Sequence, residues 1–181
     1  GEGKCGGTEA SAKAQAKTLA PAKTNLFLHV GPVDAEGYHP LSSLVAFADV
    51  GDRITAEPAE RLSLRVEGTF GAGLAGDDNL ILRALRRLGE ATGRGEPGVS
   101  VVLDKRLPIA AGLGGGSSDA GAALRLVARL LDLEPNDPGL EAAAGAVGAG
   151  GPMGLHARTA WAEGPGGRLT LRSRLPALPV V

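Results

Sequence analysis

Cysteine, aromatic residues and net charge are scarce in this sequence, and each shortage narrows what the chain can be. The one cysteine, Cys5, has no intrachain partner, which excludes an internal disulfide framework and fits a reducing compartment; a cytoplasmic location is the expectation. With 19 Lys+Arg against 20 Asp+Glu, the formal charge is −1, so no global basic field gathers nucleic acid or anionic membrane. No uninterrupted apolar stretch approaches the roughly 18–20 residues that span a bilayer. Neither nucleic acid nor membrane is an expected partner. No Cys or His cluster has metal-ligand spacing, so His29 and His156 take no role and no protein-held metal site is expected. Only 3% of residues are aromatic while 29 are glycine, which points to an interior of small side chains. What is present, 43% hydrophobic and 22% charged residues in 181, suits one globular domain.

Residues 1–19 are rich in Gly, Ala, Lys, Ser and Thr and offer too little apolar surface to offset their ordering entropy, so a disordered leader is expected there, with the domain at residues 20–181. Leu26, Leu28 and Val30 alternate with Asn25, Phe27 and His29, the period of a half-buried strand. Further strands are predicted at 42–50, 53–57 and 62–67. Val50-Gly51-Asp52-Arg53 forms a turn in this reading, and the strands form an antiparallel meander. Asp78 is placed to cap a helix carrying Ile81, Leu85 and Leu88 on one face. Residues 98–103 read as a buried strand and 104–116 as a loop. A second helix begins near Ser117 or Ser118, with Ala120, Ala123, Leu124, Val127 and Leu131 as its apolar stripe. Pro135 and Asn136-Asp137-Pro138 end it, and a short alanine-rich helix follows over 140–147. Residues 161–174 read as strand-turn-strand around Gly164-Pro165-Gly166-Gly167. The apolar run that ends at Val181 is expected to be the incomplete start of a second domain.

The chemistry concentrates in Pro108-Ile109-Ala110-Ala111-Gly112-Leu113-Gly114-Gly115-Gly116-Ser117-Ser118. Glycines between a strand and a helix let successive backbone N–H groups turn inward, and the unpaired N–H groups of the helix start add partial positive charge. Phosphate is the natural guest. Ser117 and Ser118 are placed to cap the helix, to donate to a phosphoryl oxygen or to face a bound Mg²⁺. Three readings compete: a flexible loop with a serine cap, a dinucleotide turn, and a nucleoside triphosphate loop. The dinucleotide fingerprint needs a third glycine where Ser117 stands. No Lys-Ser or Lys-Thr follows the glycines, so a triphosphate loop here is not of the Walker type, and charge neutralisation must come from Mg²⁺, the helix end and a lysine elsewhere.

Three segments together resemble a known family: Ala20-Pro21-Ala22-Lys23-Thr24-Asn25-Leu26-Phe27-Leu28, then Glu36-Gly37-Tyr38-His39-Pro40-Leu41, then the glycine loop. In order and spacing they are similar to the 4-diphosphocytidyl-2-C-methyl-D-erythritol kinases of the GHMP kinase superfamily. Asp78-Asn79-Leu80-Ile81 and Arg158-Thr159-Ala160-Trp161-Ala162-Glu163-Gly164 also look like segments of it. The resemblance implies an α+β fold, the GHMP-kinase amino-terminal domain of the ribosomal protein S5 domain 2-like kind, with the carboxy-terminal domain missing after Val181. It implies ATP and Mg²⁺ as cofactors and a small-molecule partner, the cytidyl-diphosphate methylerythritol, phosphorylated on its 2-hydroxyl for isoprenoid precursor synthesis. It makes Lys23 the catalytic lysine and residues 108–118 the ATP phosphate loop. Asn25, Tyr38 and His39 become substrate-binding residues. Pairing with a second copy to cover an exposed face stays open.

The same resemblance exposes a departure. Gly148-Ala149-Gly150-Gly151-Pro152 stands where the family carries Gly-x-Asp-x-Pro, which puts Gly150 at the position of the general base. Glycine cannot accept a proton. Glu141 and Glu163 are nearby substitutes in sequence only. Impaired transfer is therefore expected, and the alternative is an ATP-binding module without catalysis.

Overall fold

The computed structural model describes residues 15–164, 168–172 and 175–179. A six-stranded sheet is built around one long strand, β2 (Leu41–Pro58). Strand β1 (Ala16–Val30) runs antiparallel along one edge of β2. β2 also pairs at Arg53 to Pro58 with β4 (Val99–Asp104) and at Leu41 to Val45 with β5 (Ala160–Gly164), both antiparallel. Strand β3 (Ser63–Glu67) lies parallel to β4, and β6 (Arg168–Leu171) extends β5 antiparallel. Of the expected turn Gly164-Pro165-Gly166-Gly167, Gly164 ends β5 and the other three lie outside the described residues.

The parallel pair replaces the expected meander. Parallel strands need a long crossover, and the chain supplies one in α1 (Leu80–Ala91). Ile81, Leu85 and Leu88 bury its apolar stripe, each side chain contributing about 1.5–3 kcal/mol of transfer free energy. Its cap is Asn79, whose side chain accepts from the Ile81 N–H at 2.9 Å, and not Asp78 as expected. Asn79 also donates to the Leu74 carbonyl at 2.7 Å, a bond that a carboxylate could not make.

Two other expectations fail for a shared reason. β1 begins at Ala16, so the leader cannot extend to Leu19; Ala16 to Leu19 pair with Arg53 to Ala56, while residues 1–14 lie outside the described residues. Residues 50–53 are not a turn but the interior of β2. At Gly51 a Cβ would meet the Ala20 carbonyl carbon and the Pro21 Cα at 2.7 Å. Glycine is there because β1 crosses closely over it. Ala20 and Ala22 are small yet buried, so this part of the sheet is held by backbone ladder bonds and close packing that apolar periodicity does not register.

The helices α1, α2 (Gly115–Leu130) and α3 (Pro138–Gly145) form the core with Ile54, Val101 and Leu103 of the sheet. The interior is built from small residues, as the composition suggested: Ala120, Ala122, Ala123, Ala143 and Ala144 are all buried. Short α4 (Gly151–His156) lies so close to α2 that a Cβ on Gly121 or Gly154 would strike the partner backbone.

Candidate active site

The glycine loop joins β4 to α2, and β1 crosses in front of it. Between Pro21 and Lys23 the β1–β2 register shifts, so Pro21 pairs with Gly51 and Lys23 with Phe47. The Lys23 backbone N–H donates to the Leu113 carbonyl of the loop at 2.8 Å. Its side chain lies along Gly114: a Cβ there would be 2.9 Å from the Lys23 Cε and 3.1 Å from its Cβ. Burial lowers the Lys23 ammonium below its ordinary pKa. Lys23 Nζ donates to Asn25 Oδ1 at 2.7 Å, Asn25 Nδ2 to Ser43 Oγ at 2.6 Å, and Ser43 Oγ to the Phe27 carbonyl at 2.7 Å. The buried Ser43 orients Asn25, and Asn25 orients the amine.

The loop takes its shape from left-handed residues. Gly112 and Gly114 have φ of 75° and 62°, and Ala110, which carries a Cβ, has 56°. Gly114 is the N-cap of α2, with no side-chain cap bond. The expected serine cap is therefore absent. Ser118 is buried one turn in and donates to the Pro21 carbonyl at 2.6 Å, pinning the β1 bulge instead. The helix-start N–H groups at Gly115, Gly116 and Ser117 consequently lack intrahelical acceptors, and this is the anion-binding end of the helix.

Between the loop and the residues before α1 is a cavity of about 480 Å³, within the range of small-molecule sites. Residues 108–117 form one wall; Gly73, Leu74, Asp78 and Asn79 are on the other. At its floor is a buried cluster that the sequence analysis did not single out. Lys105 Nζ contacts Asp52 Oδ2 at 2.5 Å and Asp119 Oδ2 at 2.9 Å. Asp52 Oδ1 accepts the N–H groups of Arg106 at 2.6 Å and Leu107 at 2.7 Å. Asp119 Oδ1 is buried with no hydrogen-bond partner among the described residues. Burial, with Asp52 adding and Lys105 opposing, raises the Asp119 carboxyl to about 7. Burial alone would lower the Lys105 ammonium, but the two carboxylates hold it above its ordinary value. A signal existed for Lys105: the alternation of buried Val99, Val101 and Leu103 continues through it.

Tyr38 and His39 are not brought to the loop. They stand exposed at the tip of the β1–β2 hairpin, roughly 20 Å along β1 from Lys23 at the rise of a strand. Asp34 shapes that tip by accepting the N–H groups of Glu36 and Tyr38 at 3.1 and 2.8 Å. His39 Nδ1 is 2.9 Å from the Gly31 carbonyl, which can only accept, so this nitrogen is the donor. Trp161 packs edge-on against Phe27, with ring centroids 5.0 Å apart.

Gly150 caps α4 and faces the loop: a Cβ there would be 2.7 Å from Ser117 Oγ. Position 150 is thus at the site, but bare. Neither nearby glutamate substitutes for it. Glu141 pairs with His156 at 2.8 Å, and Glu163 is on β5 opposite Ser42. The antiparallel pairing of β4 with β2 also departs from the parallel sheet that a dinucleotide fold requires.

The model of the GHMP kinases N terminal domain matches residues 79–176. A 4-diphosphocytidyl-2-C-methyl-D-erythritol kinase of Caulobacter vibrioides is 52% identical over 164 residues, covering 90% of this chain and 57% of that protein. One from Hyphomonas neptunium is 52% identical over 167 residues, covering 90% and 53%. A crystal structure of 4-(cytidine 5'-diphospho)-2C-methyl-D-erythritol kinase superposes with a TM-score of 0.71 at 39% identity, over 89% of this chain and 56% of that one. The chain spans just over half the length of the curated relatives it matches.

Proposed function

Because the chain belongs to the GHMP kinases, we propose that it binds ATP with Mg²⁺ at residues 108–118 and is part of an enzyme that phosphorylates the 2-hydroxyl of 4-diphosphocytidyl-2-C-methyl-D-erythritol. The observation that carries this reading is the junction of Lys23 with the loop, N–H to Leu113 and side chain along Gly114. It sets a cation beside the place where a terminal phosphate meets the helix start. The kinase names of the relatives support the substrate.

In this transfer the acceptor hydroxyl oxygen forms a bond to the γ-phosphorus as the bridging bond to ADP breaks, and the hydroxyl proton leaves to a base. The protein mainly positions the reactants and neutralises charge. The N–H groups at Gly115, Gly116 and Ser117 would hold the phosphates. Lys23, oriented by Asn25, would stabilise charge between hydroxyl and phosphate. Mg²⁺ suits this site as an ion carried on the triphosphate, where few protein ligands are needed; the half-buried Ser117 hydroxyl and the carboxylates of Asp78 and Asp119 are the groups at the cavity wall that could face it. Tyr38 and His39, far along the hairpin, would take the nucleoside end of a long substrate whose other end lies at Lys23.

Gly150 favours a second reading, a module that binds ATP without transferring phosphate. One experiment separates the two: phosphoryl transfer from ATP to the cytidyl substrate by the native chain and by Gly150→Asp. Weak transfer that rises on restoring the carboxylate supports the kinase. MgATP binding with no transfer by either protein supports the module. Binding of NAD in preference to ATP contradicts both.

A further inference from the structure

We propose that Lys105 is a positioning residue that clamps both ends of the phosphate loop and so sets its affinity for phosphate; this rests on the nucleotide reading above. Three separate elements meet at its ammonium. Asp52, from the middle of β2, holds Lys105 Nζ and also accepts from Arg106 and Leu107, the two residues that lead into the loop. Asp119, in the second turn of α2, holds the same ammonium where the loop has become helix. The ammonium is also directly beneath the helix start, since a Cβ on Gly115 would lie 2.9 Å from Nζ. One side chain thus ties the strand before the loop, the helix after it and the central strand of the sheet into a single frame.

Apart from the Lys23 N–H on the Leu113 carbonyl, the loop has little else to hold it. Ile109, Ala110, Ala111 and Gly112 are exposed, and Ala110 is held at positive φ. A segment with so few anchors takes its width from them, and aligned N–H donors bind phosphate only when their spacing is fixed. A buried ion cluster is a poor source of net stability when replaced as a whole by uncharged groups, so a geometric role is the better account of its presence.

The test titrates the full chain with MgATP, inorganic tripolyphosphate and adenosine, using native protein, Asp119→Asn, and Lys105→Met combined with Asp119→Asn. The double variant removes the cation together with one carboxylate, which avoids stranding two facing buried charges. Asp119→Asn leaves Lys105 on Asp52 and weakens only the strap to α2, from an ion pair to a hydrogen bond on a neutral amide oxygen. Expected is a loss of about tenfold or more in tripolyphosphate and MgATP affinity, with adenosine affinity close to native, in the single variant and more strongly in the double, each titrated at a temperature where a thermal melt shows it folded. Equal tripolyphosphate affinity in all folded proteins overturns the inference, as does an affinity loss that is the same for adenosine. Failure of the native chain to bind either phosphate ligand overturns the nucleotide reading and the inference with it.

Discussion

Lys23 donates its backbone N–H to the carbonyl of Leu113, 90 residues further along the chain, at 2.8 Å. The bond exists because β1 bulges after Pro21, which takes this N–H out of the sheet ladder and turns it to the loop. Strand and loop are therefore registered by backbone, while the lysine amine is left to Asn25 and to chemistry.

Replacing that amine tests its role without touching the bond. In the Gly150→Asp background, Lys23→Met should lower phosphoryl transfer by roughly 10²–10³-fold, the usual cost of losing one charge-stabilising donor. The melting temperature should change little, since the backbone contact survives. Steady-state kinetics and a thermal melt check both halves, and unchanged transfer removes Lys23 from the mechanism.

The close crossing of β1 and β2 predicts intolerance at Gly51. A Cβ there lies 2.7 Å from the Ala20 carbonyl carbon and Pro21 Cα, and backbone cannot move aside as a flexible side chain would. Gly51→Val should cost about 1–3 kcal/mol or more in urea unfolding. A neutral result would mean that β1 does not cross β2 at this register.

Asp119 predicts an uncommon pH dependence. Its folded carboxyl titrates near 7 against an ordinary 3.8, so the folded state binds the proton more tightly. Its contribution is thus most favourable at low pH, declines as pH rises from about 4 to about 7, and is flat above. Asp119→Asn lacks this slope, so its stability relative to the native chain should rise across that window by up to about 4 kcal/mol. Urea unfolding at several pH values measures it; parallel curves contradict the assignment.

Much of this was legible in the sequence, for identifiable reasons. The glycine loop, the Ile81-Leu85-Leu88 face and the small-residue interior are local patterns, and local patterns survive folding. The residues misread were those whose role depends on a distant partner. Gly51 and Asp52 look like a turn because glycine and aspartate usually make one; in the fold the first admits β1 and the second takes Lys105 and two loop N–H groups. Ser118 looks like a helix cap but bonds to Pro21, 97 positions earlier. Asp119 is a charge on an apolar helix face and acquires meaning only beside Lys105.

The most direct measurement is calorimetric titration of the chain with MgATP beside the Gly114→Val variant. Gly114 has φ of 62° and its missing Cβ faces Lys23, so valine strains the loop and pushes on the lysine together. Saturable MgATP binding by the native chain, weakened about tenfold or more in the variant, is the result expected if the loop and Lys23 form one phosphate site. Equal affinity in the two folded proteins, or no binding by the native chain, would contradict it.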